Sequence, residues 1–145
     1  MEIHEHSIVA TVLGVAFYAA GGSPAFIGAA VASAVLIDLD HLPDYWNEHP
    51  RSFDVPHFFE TCNEGKITRV YLVFHSVELL AALGIVAFFT RSALLAGTCA
   101  GSGVHLLADQ LTNYSRPLTY SFIFRLGQRF DAGKIFRFPG AAGGS

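Results

Sequence analysis

From Ser7 to Ile37 the chain carries no charged residue, and the run ends abruptly in Asp38-Leu39-Asp40-His41-Leu42-Pro43-Asp44. Three carboxylates and an imidazole thus crowd into seven residues at the edge of an apolar segment. Unpaired carboxylates are costly in such surroundings. The ordinary remedy is a nearby cation, yet residues 1–50 hold six acids (Glu2, Glu5, Asp38, Asp40, Asp44 and Glu48) and not one Lys or Arg. A bound divalent metal is the economical source of the missing positive charge, since Asp and neutral His both ligate such ions. The competing reading is a helix end that opens into a solvated polar loop.

The rest of the sequence sharpens this choice. At 145 residues the chain is long enough for one domain with a single core, expected over 1–138, with 139–145 a flexible Gly-rich tail. Charged residues make up 14%, against ~25% for an ordinary soluble domain. A net charge of −3 leaves no broad basic surface and argues against nucleic acid as a partner. The two cysteines, Cys62 and Cys99, are far apart and form neither a disulfide framework nor a thiolate zinc pair. Residues 1–7 lack Lys and Arg, which argues against a secretory signal peptide.

Four apolar stretches read as helices: 7–20, 25–37, 70–90 and 93–111. Gly21-Gly22-Ser23-Pro24 and Arg91-Ser92 punctuate them into two helical hairpins. The expected fold is therefore all-α: a four-helix membrane bundle of two hairpins. An irregular interfacial loop over 42–69 joins them, and 115–138 forms an amphipathic, basic C-terminal tail at the membrane surface. The first two stretches reach about 17 residues only when extended, the lower limit for spanning a bilayer. With four spans, the N-terminus, the loop and the tail share one side, which holds eight of the nine Lys/Arg residues, Arg91 alone lying opposite. The positive-inside rule assigns that side to the cytoplasm of an inner-membrane, multi-pass protein.

This topology gathers the chemistry at one end. His6 opens the first helix, Asp38, Asp40 and His41 close the second, His75 lies early in the third, and His105 and Asp109 lie late in the fourth. His105 and Asp109 are four apart and share a helix face. Ionisable residues within apolar spans carry function by default. Seven candidate ligands follow (His6, Asp38, Asp40, His41, His75, His105 and Asp109), enough for one or two ions, zinc being the expected metal. Glu78 and Asp44 are both candidates for general acid or base, and the sequence does not choose between them.

These motifs also carry a resemblance. His6-Ser7, Asp38-x-Asp40-His41, His75-Ser76 and Gly101-x-x-x-His105-x-x-x-Asp109 resemble, in order and approximate spacing from residue 6 to about 117, the membrane-bound metal-dependent hydrolases typified by a LexA-regulated inner-membrane protein. That family is more distantly similar to zinc-dependent phospholipase C and P1-type nucleases. The resemblance implies hydrolysis of a phosphoester, a phospholipid among the candidates, with membrane lipid as the partner. Two positions depart from the family pattern. Ile37 stands in place of a Pro, and Val70-Tyr71-Leu72 stands where an H-R-G element falls, with Arg69 beside it. The second departure removes a ligand and an Arg. It favours the rival reading of a non-catalytic membrane protein with a structural metal or an adaptor role. A proton or metal-ion carrier is a third reading, disfavoured because the first helix offers only Thr11 and Tyr18 as polar groups.

Overall fold

The computed structural model describes residues 3–50, 54–63, 66–113 and 115–137, and the side chains of all of these except 3–7 and 63. The fold is all-α. Among the described residues there is no strand, only two isolated antiparallel bridges, Arg69 with Asp131 and Ser115 with Phe136. The tail expected at 139–145 lies outside the described residues.

Helix α1 (Ile3–Ala19) and α2 (Pro24–Leu36) form the first hairpin. Pro24 occupies the first turn of α2, where a missing N–H costs nothing, and the Ser23 hydroxyl accepts from Phe26 N–H. The second hairpin is α5 (Val77–Thr90) and α6 (Ala93–Thr112). Arg91 turns the chain with a left-handed φ of 50°, and Ser92 caps α6 through Leu95 N–H. The hairpins meet through α2 and α6, with α1 packed on α2 and α5 on α6.

The α2–α6 contact is unusually close. A Cβ at Gly97 would overlap the carbonyl oxygen of Phe26, and one at Gly101 would overlap the Ala30 carbonyl and the Ser33 hydroxyl. Ser33 Oγ donates across the interface to Thr98 O at 3.1 Å. Small residues four apart allow backbones to approach in this way. His105 and Asp109 continue the same stripe at further steps of four, so the glycines set how closely these two side chains approach the end of α2.

At that end, α2 tightens into a short 3-10 turn, α-to-α, over Ile37–Asp40, and runs on as α3 (His41–Glu48). Pro24–Glu48 is, among the described residues, the one helix long and apolar enough to cross a membrane; Ile8–Ala19 and Val77–Thr90 are shorter apolar helices. Helix α4 (Val55–Asn63) packs on α3, so the segment expected to be irregular holds two short helices.

Two further expectations are corrected. The third helix does not begin at residue 70. It begins at Val77, because the Ser76 hydroxyl accepts from Leu79 N–H and caps it there. Residues 69–76 are non-helical, and His75 lies just ahead of α5 rather than inside it. The C-terminal segment is not a surface tail. It folds back as α7 (Phe122–Gly127) and α8 (Ala132–Ile135), and its Ala132 packs with Ile67, Val70 and Leu72, while Tyr120 packs with Ile37 and Leu106. Its backbone bonds to the 68–77 stretch: Val70 N–H to Phe130 O, Ala132 N–H to Thr68 O, and Val77 N–H to Tyr120 O, each 2.9 Å. Arg125, expected on the surface, is fully buried.

Candidate metal centre

Four side chains converge at the end of the α2–α6 contact. Asp38 comes from the 3-10 turn, His75 from the non-helical stretch, and His105 and Asp109 from α6. One ligand atom from each lies within 4.8 Å of all the others. His105 Nε2 is 3.2 Å from Asp38 Oδ1 and 3.4 Å from Asp109 Oδ2. His75 Nε2 is 3.7 Å from Asp38 Oδ1 and 3.9 Å from Asp109 Oδ2. A tetrahedral ion with N and O ligands at about 2.0–2.1 Å has ligand–ligand edges of about 3.3–3.4 Å. The four measured edges, from 3.2 to 3.9 Å, lie near that value, and with every donor within 4.8 Å of the others the set could close on a small divalent ion. The buried Nε2 of His75 finds no hydrogen-bond partner, as a ligand atom awaiting an ion would.

Each imidazole is oriented from behind. His105 Nδ1 lies 2.8 Å from the Ala34 carbonyl, which can only accept; the ring therefore carries its proton on Nδ1 and directs the Nε2 lone pair into the cluster. His75 Nδ1 lies 3.3 Å from Asp40 Oδ2, which also accepts from the backbone N–H of Phe74 (2.6 Å) and of His75 (3.1 Å). A carboxylate behind a ligating imidazole fixes its tautomer and raises its basicity. The sequence offered Asp38 and Asp40 as equivalent ligands. The 3-10 turn separates them, sending Asp38 into the cluster and Asp40 behind His75.

Burial alone pushes the His75 pKa down. The neighbouring carboxylates of Asp38 and Asp40 override it, and the net direction is up. Of these two carboxylates, Asp38 faces the position a cation would take. Burial, then the charge of Asp109, raises Tyr120, whose hydroxyl accepts from Asn113 Nδ2 at 3.3 Å. Burial, with Asp44 and Asp38 adding to it, pushes the Cys62 thiol up to about 12, which keeps it from forming a reactive thiolate near neutral pH.

His41 is half-buried, its ring 5.1 Å from that of His75 and edge-on to it. The side chain of His6 lies outside the described residues. Asp44 is buried and accepts from Tyr71 N–H at 2.9 Å. Glu78 receives Ser76 Oγ–H (2.8 Å), Ser121 Oγ–H (2.5 Å) and Phe122 N–H (2.8 Å), tying α5 to the start of α7. Arg69 is exposed, and its N–H reaches Glu48.

From sequence Arg125 reads as one cation of a surface tail, and the Gly97/Gly101 pair is not singled out. Arg125 donates from Nη1 to His75 O (2.8 Å) and Thr119 O (3.1 Å) and from Nη2 to Leu72 O (2.8 Å). Its position in the aromatic run Phe122-Ile123-Phe124-Arg125-Leu126 was the one available sign that this cation is buried. Compared with family models, with characterised proteins and with solved structures, the chain shows no match.

Proposed function

We propose that the protein is a membrane-embedded, metal-dependent hydrolase of phosphoesters, with zinc as the metal and a phospholipid headgroup as the preferred substrate. The observation that carries this reading is the cluster of two imidazoles and two carboxylates, in which His75, His105 and Asp109 are closed off while the Asp38 side chain remains 30% exposed. The cluster thus has one wet edge. A divalent ion bound there would act as a Lewis acid and bring the pKa of a coordinated water toward neutrality. The chain's own residues supply the rest. Asp40 and the Ala34 carbonyl hold the two rings, and Asp38 marks the face a substrate approaches. Asp44 and Glu78, expected as acid or base, already accept from backbone N–H groups and act in this reading as anchors. The preference for phosphoesters over amides rests on the resemblance to phospholipase C-like hydrolases.

The membrane reading draws on exposed apolar side chains. Val12 and Val15 on α1, Ile85, Phe88 and Phe89 on α5, and Leu94 on α6 lie bare on the outer faces of the hairpins, Phe88 and Phe89 at nearly 80% exposure. In this reading α1, α2, α5 and α6 form a four-helix membrane bundle with lipid covering these faces, and the cluster sits at the cytoplasmic interface where headgroup phosphates lie. Helix α5, with 14 residues, rises only about 21 Å, so the bilayer thins around the second hairpin or the hairpin enters it incompletely.

One observation favours a second reading. Four protein ligands already complete a tetrahedral site, the pattern of structural zinc. Turnover separates the two. Wild type, loaded with zinc or manganese, is assayed on a panel of phosphodiesters and phospholipids beside Asp38→Asn/Asp109→Asn. Hydrolysis by wild type alone supports the enzyme. Stoichiometric metal with no activity above the variant assigns the ion to structure.

A further inference from the structure

We propose that Arg125 is a positioning residue of the metal centre, setting the His75 ring through the backbone that carries it; this rests on the metal-site reading above. The 71–75 stretch lies between two walls of opposite charge. On one side its N–H groups go to carboxylates: Tyr71 to Asp44, Phe74 and His75 to Asp40. On the other its carbonyls go to one guanidinium: Leu72 O to Nη2 and His75 O to Nη1 of Arg125, both at 2.8 Å. Peptide dipoles between the walls are aligned by both. The segment is non-helical, and Leu72 holds a left-handed φ of 44°, a conformation that surrounding contacts must impose on a residue with a Cβ. With no helix to fix it, the orientation of His75 depends on these bonds.

A buried guanidinium is a costly way to fill space, and an apolar side chain of similar volume serves an ordinary core as well or better. Among the described residues Arg125 makes no ion pair closer than 4.0 Å; the field of Asp40, Glu78 and Asp44 offsets its charge from a distance. What the guanidinium adds is geometry. Its planar fork spans two carbonyls three residues apart, which an ammonium cannot match.

The test is zinc affinity, by chelator competition on the full chain in detergent, together with the visible absorption of the cobalt-substituted protein. Arg125→Met is expected to weaken zinc 10–100-fold, the usual cost of losing a group that orients a ligand, and to change the cobalt bands. Arg125→Lys is expected to recover part of both. Ser92→Ala, which removes the cap at the far end of α6, serves as a control that lowers thermal stability alone. If Arg125→Met does not fold, Arg125→Lys carries the comparison. Wild-type affinity and spectrum in either folded Arg125 variant would overturn the proposal, as would an equal loss of affinity in Ser92→Ala. A wild type that binds no metal would instead overturn the metal-site reading beneath it.

Discussion

Gly101→Ala is expected to damage the metal centre without touching a ligand. In a helix interior the change alone favours the folded state by about 1 kcal/mol. Here the new Cβ would overlap the Ala30 carbonyl and the Ser33 hydroxyl. The carbonyl is backbone and cannot rotate away, so the cost falls at the top of the overpacking range, about 3 kcal/mol. The net loss is then about 2 kcal/mol. Relief requires α2 and α6 to separate by roughly 1 Å at this level, an estimate from the van der Waals overlap. His105 is one turn further along, bonded to Ala34 O at 2.8 Å and 3.2 Å from Asp38. Such a shift takes the first contact out of hydrogen-bond range and widens the second well past the ~0.2 Å tolerance of a metal site. Gly103→Ala is the internal control: its Cβ would meet Leu80 Cδ2 at 3.6 Å, an ordinary contact. Denaturation and bound zinc are measured for both in the same detergent. Gly103→Ala is expected to be as stable as wild type or slightly more so and to keep its metal, while Gly101→Ala loses both. Equal stability and metal content in the two variants would refute the inference that the α2–α6 contact sets the site.

Two further outcomes are expected. In metal-free protein the raised pKa of His75 means that protonation stabilises the fold. That contribution is full below the unfolded value near 6.5 and fades as pH rises through the higher folded value, so the melting temperature falls with rising pH. His75→Gln flattens this slope, which is read from melting curves with a chelator present. Cys62→Ser leaves zinc content unchanged by elemental analysis, since the thiol lies outside the ligand set and burial keeps it protonated.

The helices and the ligands were readable to different depths. The bounds of α2 and α6 follow from apolar runs between Ser23-Pro24 and the acidic cluster, and between Ser92 and Asn113, because capping residues and prolines act locally. The start of α5 is not legible in the sequence because Val70, Tyr71 and Leu72 are apolar for a tertiary reason: Val70 and Leu72 pack on Ala132, more than fifty residues away. Asp38, His75, His105 and Asp109 were legible as members of a wider set of seven gathered at one end of the hairpins. Their division of labour was not, since the choice between Asp38 and Asp40 depends on a four-residue 3-10 turn. Arg125 was hidden for another reason. Its partners are carbonyl oxygens, which every residue has, so no pattern of side chains announces them.

The central claim is that Asp38, His75, His105 and Asp109 hold one ion between them. Elemental analysis of the purified full chain, beside Asp38→Ala/His105→Ala, tests it most directly. The account predicts one equivalent of a divalent transition metal, zinc first, in the wild type and its loss in the variant. A wild type without metal, or a variant that keeps it in full, would contradict the account.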